Sequence, residues 1–141
     1  MTKIQLALLT LAVMATEVSA QSRMFYNSSG QSIGRATTSG NTTTFRDSSG
    51  RTTSRAVANG TTTTNYDAGG RVISRETTTA NTTTTFRDNS GRTPGRATTN
   101  GNTTTTYDAS GKIISRESTS GNTTTIYDAG GRNVGRFTTN R

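Results

Sequence analysis

The chain has no cysteine, no histidine, no tryptophan and a single proline in 141 residues. Leucine stops at Leu11. Each absence closes a class of explanation. Without Cys there are no disulfides, although an exported chain could have used them. Without His or Cys, zinc, haem and Cys/His catalysis lose their usual residues. From residue 21 onward only twelve residues are Ile, Val or Phe. That is roughly a tenth, well under the fifth below which a charged chain reads as disordered. Ordering one residue costs on the order of 1.5 kcal/mol, and burying a large apolar side chain returns only about 2 kcal/mol. Order in this chain therefore has to rest on backbone ladders and repeated neighbour contacts.

What is present begins with a different kind of segment. Residues 1–20, MTKIQLALLTLAVMATEVSA, carry Lys3, an apolar run from Ile4 to Ala15 and the small-residue end Val18-Ser19-Ala20. This is the pattern of a secretory signal cut after Ala20, and the run is short for a membrane span. The expected mature chain is a single β-repeat domain, residues 21–141, with no membrane span after cleavage. Cleavage would remove Lys3 and Glu17, so the net charge stays at +8.

The rest repeats. Gly30, Gly50, Gly70, Gly91, Gly111 and Gly131 are spaced by 20, 20, 21, 20 and 20 residues. Three residues before each stands Asn27, Asp47, Asp67, Asp88, Asp108 or Asp128. Five residues after each stands Arg35, Arg55, Arg75, Arg96, Arg116 or Arg136. A fixed period means stacked supersecondary units. Asp followed three residues later by Gly suits a type I turn with a glycine bulge. Half a repeat on, Gly40-Asn41, Asn59-Gly60, Gly101-Asn102 and Gly121-Asn122 read as two-residue hairpin turns. Ala80-Asn81 is the weak copy, in the one longer repeat. Between the turns lie short segments rich in Thr, Ile, Val, Tyr and Phe, which favour strands. The fold class predicted is all-β, about six units of about 20 residues, each a β-hairpin, forming an open ribbon or a β-solenoid. Like residues would then stack in ladders. Glu76 and Glu117, beside Arg75 and Arg116, suggest that charge alternates along the arginine ladder.

The stretches YDAGGRVISRE (66–76), YDASGKIISRE (107–117) and YDAGGRNVGRF (127–137) resemble the YD repeat of the rearrangement-hotspot and teneurin family. The likeness runs from about Phe25 to Arg136; the units at Arg46 and Arg87 have Arg in place of the motif's Tyr. The resemblance implies a β-hairpin ribbon that can spiral into a shell, with extracellular or cell-surface roles and no enzyme signature. Large members enclose a separate effector domain; none is expected here, and six units look too few to close a shell.

Several chemistries can be weighed from the residues. A catalytic site is one asymmetric constellation, whereas here every copy carries the same Asp and Arg, so no catalytic residue is assigned. One Asp per repeat in a basic chain is thin for calcium, so no metal or other cofactor is expected. Few aromatics accompany the evenly spread basic residues, which weakens a nucleic-acid reading. Asn41, Asn81, Asn102 and Asn122 open Asn-Thr-Thr sequons that would matter only in a eukaryotic secretory pathway.

Two readings remain. In the first, the chain is a secreted, cell-surface or periplasmic structural or adhesive protein. Its arginine stripe (Arg35, Arg55, Arg75, Arg96, Arg116, Arg136) would bind extracellular polysaccharide or another polyanion, and open strand edges would let it self-associate. In the alternative reading, Thr42, Thr44, Thr62, Thr64, Thr83, Thr85, Thr104, Thr106, Thr123 and Thr125 form a ladder that binds ice or a crystal face.

Overall fold

The computed structural model describes residues 21–80 and 82–140. Residues 1–20, where a secretory signal is expected, Asn81 and Arg141 lie outside the described residues. Twelve strands follow one another: β1 (Gln21–Asn27), β2 (Ser32–Ser39), β3 (Thr42–Asp47), β4 (Thr52–Asn59), β5 (Thr62–Asp67), β6 (Val72–Thr79), β7 (Thr83–Asp88), β8 (Gly95–Asn100), β9 (Thr103–Asp108), β10 (Ile113–Ser120), β11 (Thr123–Asp128) and β12 (Asn133–Asn140). There is no helix among the described residues. The all-β repeat is as expected; its overall form is not.

The strands close into one antiparallel barrel, each pairing with its chain neighbours and β12 returning to β1. An open ribbon or solenoid is therefore the wrong architecture, and six units are enough to close. The local geometry explains why. At every Asp turn the pattern expected from sequence is realised: the Asp47 amide donates to the Arg51 carbonyl and the Gly50 amide to the Asp47 carbonyl, both at 3.0 Å. Gly50 takes φ +84°, the left-handed position of a glycine bulge. Each bulge adds twist and offsets the ladder. Phe25 faces Gly34, and Gly34 in turn faces Asp47, two residues beyond Phe45, the counterpart of Phe25. A stagger of two residues per unit tilts the strands, and a sheet of a dozen tilted strands closes on itself.

Closure repeats the register used inside the chain. Ala36 faces Phe45, Ala56 faces Asn65, Glu76 faces Phe86, Ala97 faces Thr106 and Glu117 faces Ile126; at the seam Phe137 faces Phe25 in the same way. The barrel thus has six near-equivalent sectors and no unpaired edge. Self-association through open edges loses its structural basis.

The turns sort to opposite ends. One rim carries the Asp turns with Arg51, Arg71, Arg92, Lys112 and Arg132; the other carries the uncharged turns. There Gly40 (φ +57°) opens the two-residue link between Ser39 and Thr42, the first-position glycine of a type II′ hairpin. The link after Asn59 is Gly60-Thr61, one residue later than the sequence suggested, because Asn59 pairs with Thr62. The extra residue of the long repeat also falls at this rim, where Thr79 pairs with Thr83 and Ala80 takes φ +51°.

Alternation divides the threonines. Thr38 and Thr43, Thr78 and Thr84, Thr99 and Thr104, and Thr119 and Thr124 join hydroxyl to hydroxyl at 2.9–3.0 Å inside the uncharged rim. Below them lies an inner layer whose apolar residues are Phe25, Ala36, Phe45, Ala56, Phe86, Ala97, Ile126 and Phe137, all but Phe86 and Ala97 packed as one cluster. The Phe25 ring centroid is 5.9 Å from Phe137 and 6.5 Å from Phe45.

Candidate functional site

All six arginines of the predicted stripe are exposed, and they form a belt around the outer wall. The belt position follows from period two: Ala36, Ala56, Glu76, Ala97, Glu117 and Phe137 are buried, so each preceding Arg points outward. The same rule corrects the charge alternation inferred from sequence. Glu76 and Glu117 neutralise no arginine of the belt; they lie inside the barrel.

Two kinds of partner face the belt. Across one side stand outward threonines: Thr44 opposite Arg55, Thr64 opposite Arg75, Thr85 opposite Arg96, Thr105 opposite Arg116 and Thr125 opposite Arg136. Across the other side stands Tyr or Arg. The guanidinium carbon of Arg55 lies 4.6 Å from the Tyr66 ring centroid, that of Arg96 5.1 Å from Tyr107, and that of Arg136 5.0 Å from Tyr26. Arg116 is in register with Tyr127. In the remaining two sectors Arg35 is directly opposite Arg46, and Arg75 directly opposite Arg87. No acidic side chain is a cross-strand partner of any of the six. An exposed Arg over a Tyr ring gains about 0.5–1 kcal/mol.

The turn aspartates are occupied by their own turns. Asp47 Oδ1 accepts the Ser49 hydroxyl at 2.6 Å, the Ser49 amide at 2.9 Å and the Arg51 amide at 3.0 Å. The Ser49 hydroxyl and the Arg51 amide hold its carboxyl below the usual carboxylate range. Asp108 is lowered in the same way by Ser110 and Lys112, and Asp128 by the Arg132 amide. The basic residue after each turn contributes its backbone N–H to the bond. Asn27, the neutral copy, makes equivalent amide bonds at 3.0 and 2.9 Å, so the turn needs an acceptor rather than a charge.

The predicted threonine ladder splits. Thr42, Thr44, Thr62, Thr64, Thr83, Thr85, Thr123 and Thr125 are half-buried on the outer wall. Thr104 and Thr106 face inward: Thr104 bonds Thr99, and Thr106 is buried. Counting back from Gly111 as in the other units gives Thr103 and Thr105 as the outer pair, a one-residue slip that moves a side chain to the other face.

Sequence reasoning missed the interior polar group. Asn65 Nδ2 donates to Glu76 Oε1 at 2.8 Å and to Ser74 Oγ at 3.1 Å. Glu76 is 0 % exposed and Asn65 1 %. Glu76 Oε2, Asn65 Oδ1 and Thr106 Oγ1 are buried without a hydrogen-bond partner. Burial pushes the Glu76 carboxyl up to about 8 against the opposing bond from Asn65, so it is protonated at neutral pH. Elsewhere in the interior, burial lowers the Arg23 guanidinium and the charge of Glu117 pulls it back up. The signal for an inward Glu76 was available: it sits one residue from an outward Arg in a strand.

Among the described residues no group of three or more His, Cys, Asp or Glu could hold a metal ion, and no helix is long and apolar enough to cross a membrane. No protein-family model and no curated protein matches the chain.

Proposed function

We propose that the chain is a secreted, non-enzymatic β-barrel that binds anionic polysaccharide through the arginine belt on its outer wall. The observation that carries this reading is the belt itself. Six equivalent arginines are exposed at one height, and none has an acidic cross-strand partner. The turn aspartates accept backbone amides of their own turns. Tyr66, Tyr107 and Tyr26 lie under three of the guanidiniums and help position them on the wall. A lipid-facing wall is disfavoured, because each Arg at the middle of a bilayer would cost about 2–4 kcal/mol. The likeness to the YD repeat supports an extracellular role. The ice-binding alternative finds no support in the wall, which is curved and sets its outer threonines beside arginines.

The test replaces Arg55, Arg75, Arg96 and Arg116 together with Gln in residues 21–141. Earlier elution from a heparin column and a flatter dependence of binding on salt are expected, because ion release scales with the contacts made, with the melt lowered only by the loss of the Arg55–Tyr66 and Arg96–Tyr107 contacts. A lowered melt with unchanged elution would refute the belt as a binding surface.

A further inference from the structure

The six sectors of the belt are not alike. Four set Arg beside Tyr; two set Arg beside Arg, at Arg35–Arg46 and Arg75–Arg87. Arg35, Arg75 and Arg87 are exposed and Arg46 is half-buried. Like charges directly opposite on neighbouring strands are unfavourable, with Cβ atoms about 5 Å apart. The neighbours do not relieve it. Arg35 has Met24 on its other side and Arg46 has Thr52; Arg75 has Thr64. The acid next to Arg75, Glu76, points into the barrel.

We infer that each arginine doublet is a site for one tetrahedral oxyanion, a sulfate or phosphate ester group, carried on the polysaccharide that the belt binds. This rests on the belt reading and refines it. A carboxylate has two oxygens and is satisfied by one bidentate guanidinium. An ester sulfate or phosphate has three terminal oxygens and can accept from two guanidiniums at once. Two forks projecting from paired strands suit the second group, and the anion removes the repulsion that the free doublet suffers. An Arg opposite Tyr has no such second fork, so the other four sectors accept carboxylate and sulfate alike. The doublets occur on β2–β3 and β6–β7, four strands apart, or about 19 Å along the wall at the usual strand spacing. One extended chain can reach both, so the doublets act together.

The repeat supplies its own test. Tyr occupies the positions of Arg46 and Arg87 in the other four sectors, so Arg46→Tyr with Arg87→Tyr converts the doublets into sectors of the common kind. Binding of residues 21–141 would be measured to heparin, which is sulfated, and to polygalacturonate, which carries only carboxylates. The wild-type chain is expected to prefer heparin. The double variant is expected to lose roughly tenfold in heparin affinity, the low end for charge-assisted hydrogen bonds, and to keep its polygalacturonate affinity within about twofold. Arg55→Gln with Arg96→Gln removes as many charges from Arg–Tyr sectors and is expected to weaken both polymers alike. Equal binding of both polymers by the wild type, or a proportional loss for both in the Tyr variant, overturns the doublet inference and leaves the belt standing. Failure of the wild type to bind either polymer overturns the belt and the doublets together. If the double variant does not fold, Arg46→Gln and Arg87→Gln singly carry the same comparison, with the same outcomes deciding it.

Discussion

Two arcs of one barrel wall are built from the same repeat, one with a wholly apolar inner row and the other with a mixed row of polar and apolar residues. Along β11, β12 and β1–β4 the inner layer is Ile126, Phe137, Phe25, Ala36, Phe45 and Ala56. Along β5–β10 the equivalent positions hold Asn65, Glu76, Phe86, Ala97, Thr106 and Glu117. The Asp turns and the register of inner residue on inner residue are the same in both. The wall is therefore specified by what every unit shares, and the contents of the barrel by the few positions at which units differ. One arc gains free energy by removing apolar rings from water. The other spends part of that gain on buried polar atoms, three of which have no hydrogen-bond partner.

The comparison can be broken most severely on the apolar side. Phe25→Ala removes the ring that touches both Phe45 and Phe137, and it does so at the seam where β1 meets β12. A loss of about 3–5 kcal/mol in urea unfolding is expected. A loss under about 1 kcal/mol would mean that the cluster does not hold the seam.

On the polar side the sign reverses. Glu76 has a folded carboxyl raised from 4.5 to about 8. Between those values the unfolded chain has released the proton and the folded chain has not, so stability falls as pH rises through this window and levels above it. The turn carboxylates of Asp47, Asp108 and Asp128 are lowered, so their contribution is present above their ordinary range and is lost as acid protonates them in the fold. Maximum stability is expected near pH 4, between the ordinary aspartate and glutamate values of 3.8 and 4.5. Glu76→Gln should abolish the alkaline decline and stabilise the chain at pH 7 by up to roughly 3 kcal/mol, less the cost of a buried amide. Melting temperatures from pH 4 to 9 decide it; an identical decline in the variant would place the titrating group elsewhere.

The smallest expected effect is at Thr106. Its hydroxyl is buried without a partner, and Val has the same shape without the oxygen. Thr106→Val should raise stability by about 1 kcal/mol, measured as a shift in urea midpoint at constant slope. Destabilisation would show that the hydroxyl is hydrogen-bonded in solution.

Much of this molecule was legible residue by residue. The Asp-x-x-Gly turns, the II′-type glycines and the strand segments follow from local chemistry, because a turn is decided by a few adjacent residues. The exposed row of arginines follows from their recurrence at one offset from the turn glycine. The errors came from relations across strands. Thr104 and Thr106 face inward, because the outer pair in that unit is Thr103 and Thr105. Glu76 lies inside the barrel although it follows Arg75, because adjacent strand residues point to opposite faces. The Arg–Tyr and Arg–Arg pairs need the register of β2 on β3 and of its equivalents, which no single segment displays.

The amino-acid sequence by itself determined the repeat, the alternation of its faces and the left-handed glycine at each Asp turn, since these depend on backbone sterics and hydrogen bonds a few residues apart. Only the tertiary structure decided that the ribbon closes. Closure depends on a twist and a two-residue stagger that accumulate over six units until β12 meets β1 in register. That step turned one face of every strand inward, burying Glu76 and Asn65 among apolar rings and threonines, and left the arginines as a continuous outer belt.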